Sequence, residues 1–127
     1  MESTIPTEVA QFVVKQIRSL DQLEVLLLLS ALPDREWSVT ALDSVVRSNP
    51  DSVAQWLDGF VAEGFVVRHG DPPVYRYQPP TEAMAQTIAA LGATYKVSRH
   101  KIVELIYSRA QSIKDLSDAF RFKNPEA

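Results

Sequence analysis

The side chains best suited to recognise another molecule lie between Arg47 and Arg76. A helix predicted after Asn49 exposes Ser52 and Gln55, which can hydrogen-bond the edges of nucleic-acid bases, and glutamine suits adenine in particular. Positively charged or ionisable side chains flank this helix and could contact phosphates; they are Arg47, Arg68, His69 and Arg76. The chemistry that these residues suggest is the recognition of a polyanion through hydrogen bonds and charge.

The charge of the same helix argues in the opposite direction. It carries Asp51, Asp58 and Glu63 but no lysine or arginine. A carboxylate can accept a hydrogen bond from cytosine, but it cannot supply the electrostatic attraction that dominates affinity for DNA. The whole chain has a net charge of −3, and its surplus of basic residues lies in residues 96–127. An acidic helix could instead bind a basic or apolar surface of a protein partner, so both interpretations stay open.

Catalytic and metal chemistry find little support in the composition. The chain has no cysteine, which excludes disulfides, thiol nucleophiles and cysteine-bound zinc. His69 could lie near Asp71, but two potential ligands do not make a metal site, and His100 stands alone on a helix. The four glycines are scattered singly, so no phosphate-binding loop is present. We therefore expect neither an enzyme nor a bound metal or cofactor.

Length and hydropathy place the chain among ordinary globular proteins. With 127 residues, 46% of them apolar, it is long enough for one domain with or without an accessory helix. The longest apolar run, Val25 to Leu29, is far too short to cross a membrane. The N-terminus lacks the basic-then-apolar order of a signal peptide. These features predict a cytoplasmic protein with no membrane partner.

Two helices are predicted before the recognition region. The first begins near Pro6 and has apolar residues at helical spacing, namely Val9, Phe12, Val13, Ile17 and Leu20. Asp21 and Glu24 have the spacing of a capping box, which predicts that a second helix begins there. This second helix is apolar on nearly all of its own sides, mostly through leucines, so it should form the buried centre of the fold.

Local signals also predict the recognition region itself. Ser38 is a good N-cap for a third helix, and Asn49 followed by Pro50 is a good start for a fourth. Gly64 should end the fourth helix in the left-handed conformation.

A β-hairpin is predicted directly after the fourth helix. "FVVRH" and "VYRYQ" alternate around the turn "GDPP". The register that turns the aromatic residues inward groups Phe65, Val67, Tyr75 and Tyr77 on one face. It places Arg68 and Arg76 together on the outer face, with Val66 and Val74.

The C-terminal region begins at Thr81, a suitable cap for another helix. An apolar stripe then runs through Met84, Ile88, Leu91, Tyr95, Ile102 and Leu105. One long helix could carry the whole stripe, with Gly92 and residues 96–98 as places where it could break. A last short helix is predicted from Ser112 to Phe120. If the stripe is uncovered, residues 81–120 should join two chains in a homodimer; the alternative is that the first helix covers the stripe in a monomer.

The order helix, helix, turn, helix, hairpin resembles a winged helix-turn-helix domain of the MarR, ArsR and PadR type of bacterial transcriptional regulators. The residues that carry the resemblance are "SVTALDSVV", "NPDSVAQWLDGFVAEGFVVRH" and "VYRYQP". The resemblance implies a mostly α fold with a small β-hairpin: an N-terminal helix in residues 1–20, a winged domain in 21–80 and a helical extension in 81–127. It implies a dimeric DNA-binding regulator, while the alternative is a winged-helix protein-interaction module that binds no DNA.

Overall fold

The structure is a computed structural model, and it describes residues 5–107. The order of its elements is four helices, a two-stranded hairpin and a C-terminal pair of helices. The bounds are α1 Thr7–Gln16, α2 Leu20–Ala31, α3 Val39–Val46, α4 Pro50–Ala62, β1 Val66–His69, β2 Val74–Tyr77 and α5 Glu82–Val97. A further helix, α6, begins at residue 99 and is described to residue 107. The predicted mostly α fold with a winged helix-turn-helix is confirmed.

Three helices begin where the sequence predicts. Ser38 caps α3 by accepting a hydrogen bond from the backbone N–H of Ala41, and Asn49 and Thr81 cap α4 and α5 in the same way. Each side-chain oxygen satisfies one of the N–H groups that the first turn leaves unpaired. Gly64 follows α4 with φ of 85°, as the left-handed C-terminal position requires.

The start of α2 differs from the prediction. Ser19, not Asp21, is its N-cap, and the Ser19 hydroxyl accepts a hydrogen bond from the N–H of Gln22 at 3.1 Å. The Gln22 side chain reaches back to accept from the N–H of Arg18 at 2.7 Å. Ser19 and Gln22 thus perform the reciprocal capping that the sequence suggested for Asp21 and Glu24.

One hydrophobic core joins all parts of the described chain. Its centre is α2, whose Leu23, Val25, Leu26 and Leu29 are buried. Phe12 of α1 lies 5.5 Å from Phe65, measured between ring centroids, and so connects the N-terminal helix to the base of the wing. Since α5 packs against both α1 and α2, residues outside the 21–80 segment belong to the same core as the winged elements.

The hairpin register contradicts the predicted pairing. Arg68 lies opposite Tyr75, and Arg76 lies opposite Val67, so the two arginines occupy different faces. The four-residue turn between His69 and Val74 forces this register, because the length of a hairpin loop fixes which residues pair. Arg68 shares its face with the buried Tyr75 but remains exposed, since its guanidinium reaches the edge of α4.

A third segment extends the hairpin. Trp37 pairs with Tyr75 through two backbone hydrogen bonds of 2.8 Å, which ties the residues before α3 to the outer edge of β2. Trp37 is 2% exposed, and its indole N–H has no hydrogen-bond partner among residues 5–107. The wing is therefore anchored to the core at its base by Phe65 and along β2 by Trp37.

The C-terminal stripe is divided between two helices. Residues 81–107 do not form one continuous helix. α5 ends at Val97, and Ser98 adopts a non-helical conformation before α6 begins. Ser98 is buried at this break. The short helix predicted from Ser112 lies outside the described residues. Among residues 5–107, no helix combines the length and apolar character needed to span a membrane.

Candidate nucleic-acid interface

The turn between α3 and α4 places a positive charge beside α4. Arg47 ends α3 with φ of 62° and ψ of 52°, a left-handed conformation that costs a non-glycine residue about 1–2 kcal/mol. Its side chain is exposed and makes no hydrogen bond or ion pair with any of residues 5–107. Arg47 is therefore available to an external anion near the N-terminus of α4.

The outward face of α4 presents the two predicted base-reading side chains. Gln55 is exposed and Ser52 is half-buried, and neither side chain bonds to another described residue. Val53, Leu57 and Phe60 bury the opposite face of the helix. Because of helical periodicity, Gly59 lies on the outward face with Ser52 and Gln55.

Gly59 leaves the middle of this face flat. A methyl group added at Gly59 would meet nothing within 4 Å. Glycine inside a helix is about 0.5–1 kcal/mol less favourable than alanine, and the fold does not require it at this position. The outward face of α4 therefore carries no side-chain bulk at Gly59.

The wing connects back to α4 through an ion pair. Nη1 of Arg68 donates to Oδ1 of Asp58 at 3.2 Å, and both side chains are more than half exposed. The acidic residue that seemed to oppose a polyanion therefore has a cation beside it. Conversely, an arginine predicted to contact phosphates already has an acidic partner.

His69 is held on the other face of the wing. Its Nε2 lies 2.6 Å from Oε2 of Glu36, and the contact is an ion pair when the imidazole is protonated. Arg35, the residue before Glu36, stacks over the ring of Trp37 at 3.7 Å from the centroid. These contacts secure the wing to the loop that precedes α3.

Arg76 has a weaker attachment. It donates to the side chain of Gln78, two residues further on, at 2.9 Å. This neutral partner leaves the charge of Arg76 uncompensated. Tyr77 beside it is partly buried, and burial raises the pKa of its phenol, which therefore stays neutral at physiological pH.

The structure thus sorts the predicted contact residues into two groups. Arg47, Ser52, Gln55 and Arg76 have no charged partner among residues 5–107, whereas Arg68 and His69 have acidic ones. No pattern in the sequence points to Glu36 or to the pairing role of Asp58. A correct hairpin register would have pointed to Asp58, because it turns Arg68 towards α4.

The predicted dimer stripe is largely covered by the chain itself. Ile88, Leu91 and Ile102 are fully buried, while Met84, Tyr95 and Leu105 are half-buried against the core. The reason for expecting a dimer through the buried three is therefore removed. Exposed apolar area at this end of the described chain lies instead on Val97, which is 79% exposed, and on Tyr107, which is 49% exposed.

A cleft of about 730 Å³ lies between α2, α3 and α5. Leu27 and Leu28 of α2 and Ala89 and Gly92 of α5 line it, and Val45 lies at its α3 side. At one end, the Tyr95 hydroxyl donates to Glu24 at 3.0 Å and accepts from Nε of Arg99 at 2.8 Å. Burial, opposed by the bond from Arg99 and reinforced by Glu24, raises the pKa of Tyr95.

Metal binding has no geometric support in the part of the chain that the structure describes. Within residues 5–107, no three histidine, aspartate or glutamate side chains come together as a metal site would require. The pair of His69 and Glu36 offers two such groups only.

Comparison with known proteins identifies the fold. No family model matches the sequence, and no curated protein matches it. Among solved structures, MepR, a transcription regulator of the multidrug efflux pump MepA in Staphylococcus aureus, is similar with a TM-score of 0.54 and 12% identity over 90% of this chain and 86% of that one. The multiple antibiotic-resistance repressor MarR of Listeria monocytogenes is similar with a TM-score of 0.51 and 17% identity, over 91% and 80%. The winged-helix fold of MarR-type regulators, which the sequence resembles, is confirmed over most of the chain.

Proposed function

We propose that the chain is a DNA-binding transcriptional regulator that uses α4 as its recognition helix. The observation that carries this proposal is the outward face of α4, where Ser52 and Gln55 lie unengaged beside a wing. Base edges in the major groove offer the donors and acceptors that these two side chains can use. The similar solved structures with this fold are a transcription regulator and a repressor, which supports the proposal.

The phosphate contacts come from the two arginines without acidic partners. Arg47 lies where the α3–α4 turn would meet the DNA backbone, and Arg76 lies on the wing. Asp51 of α4 would approach the same polyanion and oppose binding. With so few phosphate contacts, we expect modest affinity for DNA. The logarithm of the binding constant should fall with the logarithm of the salt concentration at a shallow slope.

A second candidate function rests on a specific observation. The carboxylates of Asp58 and Glu36 engage two of the four predicted phosphate ligands, and Asp51 adds further negative charge to α4. Such a surface suits a basic protein partner better than a nucleic acid. In this alternative the winged helix is a protein-interaction module.

Pairing of two chains completes the proposal. A two-fold axis would set two copies of α4 apart by about the spacing of successive major grooves, roughly 34–36 Å. The exposed side chains of Val97 and Tyr107 are the apolar residues at which we place the contact. Residues 108–120, which we expected to take part, lie outside the described part.

Binding to genomic DNA fragments at several salt concentrations tests the function. Gln55→Ala should cost about 1–3 kcal/mol on the preferred fragment and little on random DNA. Gln11→Ala removes an exposed glutamine from α1 and serves as the matched control, so it should change neither. Equal losses on both DNAs would make Gln55 a positioning residue. If the unmodified protein binds no DNA at low salt, the protein-interaction module becomes the better account.

A further inference from the structure

We infer that Asp58 is a positioning residue that holds Arg68 against α4 and keeps it from contacting phosphate. This inference rests on the proposed function and deepens it, because it assigns to an acidic residue of the recognition helix control over a cation of the wing. Its basis is the geometry around the 3.2 Å contact between Nη1 of Arg68 and Oδ1 of Asp58.

The hairpin register determines on which face of the wing Arg68 lies. Arg68 pairs with Tyr75 and therefore lies on the face of the wing that turns towards the core. Tyr75 is buried there, whereas the Arg68 side chain is exposed and extends to the neighbouring helix. Asp58 occupies the position on α4 that this side chain reaches.

Both side chains of the contact between Arg68 and Asp58 are solvent-exposed, and an ion pair of this kind contributes little to the stability of a fold. Its main consequence is therefore local, because the charge of Arg68 is compensated next to the surface where a polyanion would bind. A phosphate oxygen would have to compete with a carboxylate that is already in place.

The other cations of this surface show that the arrangement is particular to Arg68. Arg47 has no partner among residues 5–107, and Arg76 has an amide partner. His69 is held by Glu36 from the opposite face, which fixes the wing without involving α4. Asp58 alone among the described carboxylates links α4 to the wing.

Asp51 provides the control for the test. It lies on the same helix, is exposed, and bonds through its side chain to no residue within 5–107. Asp58→Asn and Asp51→Asn each remove one negative charge from α4, but the first alone releases an arginine. A difference between the two variants therefore measures the release of Arg68 rather than the change in net charge.

The experiment measures binding of the full chain to a short duplex of random sequence across a range of salt concentrations. Asp58→Asn should steepen the slope of log K against log salt by about 0.9, the value of one additional phosphate contact, and Asp51→Asn should leave the slope unchanged. Arg68→Gln should leave the slope of the unmodified protein unchanged and remove the gain in the Asp58→Asn background. An equal loss in both backgrounds, or none in either, overturns the inference.

A second measurement follows Arg68 without DNA. The order parameter of the Arg68 side-chain N–H, from NMR relaxation, should fall in Asp58→Asn and stay unchanged in Asp51→Asn. An Arg68 side chain that is already mobile in the unmodified protein overturns the inference even if DNA binding is normal. If Arg68 is ordered but neither the unmodified protein nor Asp58→Asn binds DNA at low salt, the proposed function fails and the masking of a phosphate ligand fails with it.

Discussion

The helices α4 and α5 each have a glycine within them, and the two glycines have different surroundings. In α5, a methyl group at Gly92 would contact Leu27 at 3.6 Å, and the neighbouring Leu91 is fully buried. In α4, a methyl group at Gly59 would meet nothing, and Gln55 nearby has no partner among residues 5–107. Gly92 thus faces a side chain of the same chain at an ordinary van der Waals distance, whereas Gly59 faces none within the described residues.

This difference indicates where to look for function. Residues that follow local and packing rules specify the fold, and residues that depart from them without an internal reason tend to mark functional surfaces. Gly59 is such a departure, and it lies on the helix-turn-helix unit. The three variants below test the comparison between the packed helix and the outward face.

Leu91→Ala should have the largest effect. Leu91 is fully buried between α5 and the core, so its truncation should lower the free energy of unfolding by about 2–5 kcal/mol. Urea denaturation of the variant measures the loss. Gln86→Ala in the same helix, at an exposed position outside the proposed contact between chains, is the control and should stay within about 0.5 kcal/mol of the unmodified protein. A loss below about 1 kcal/mol at Leu91 would show that the stripe is less well covered than its burial indicates.

Gly59→Ala should change stability less than Leu91→Ala does. It should raise the stability of the fold but weaken DNA binding. The free energy of unfolding of the variant should rise by about 0.5–1 kcal/mol, because alanine favours the helix and the added methyl group has space. If the outward face approaches DNA closely, its affinity for DNA should fall. Gly92→Ala is the matched control, since it makes the same substitution within α5 and should leave DNA binding unchanged. Equal DNA binding by both variants would remove Gly59 from the interface.

Val97→Glu should have the smallest effect on stability. The side chain is 79% exposed, so the free energy of unfolding of the single chain should change by no more than about 0.5 kcal/mol. Dimerisation should weaken by at least about tenfold, or about 1.4 kcal/mol, if Val97 lies in the contact between two chains. Sedimentation equilibrium of the variant and of the unmodified protein measures the dissociation constant of the dimer. A single species with the mass of one chain for the unmodified protein would end the dimer proposal.

Local signals in the sequence were sufficient for much of the fold. The caps at Ser38, Asn49 and Thr81 were predictable because each depends on residues within one turn of helix. The start of α2 was misplaced by a competition between two adjacent signals. Ser19 with Gln22 and Asp21 with Glu24 have the same spacing, and the sequence does not rank them.

The parts that could not be predicted depend on residues far apart in the chain. The partner of Arg68 is ten positions away, and the partner of His69 is thirty-three positions away, in a different loop. The coverage of Ile88 and Leu91 depends on how α5 meets α1 and α2, which hydropathy alone does not reveal. The hairpin register, in contrast, was within reach: the length of the "GDPP" turn predicts it more reliably than the preference to keep arginine off the inner face.

The contact between α1 and α5 has a consequence for how the chain is made. Translation produces the apolar face of α1, with Val9, Phe12 and Val13, before any of the residues that bury it. Phe65 follows after α4, and α5 begins only at Glu82, close to the end of the described chain. Because α1 and α5 close one core, the winged segment cannot finish folding as an independent unit while the ribosome is still synthesising the rest. The core of residues 5–107 therefore closes only after α5 has been synthesised.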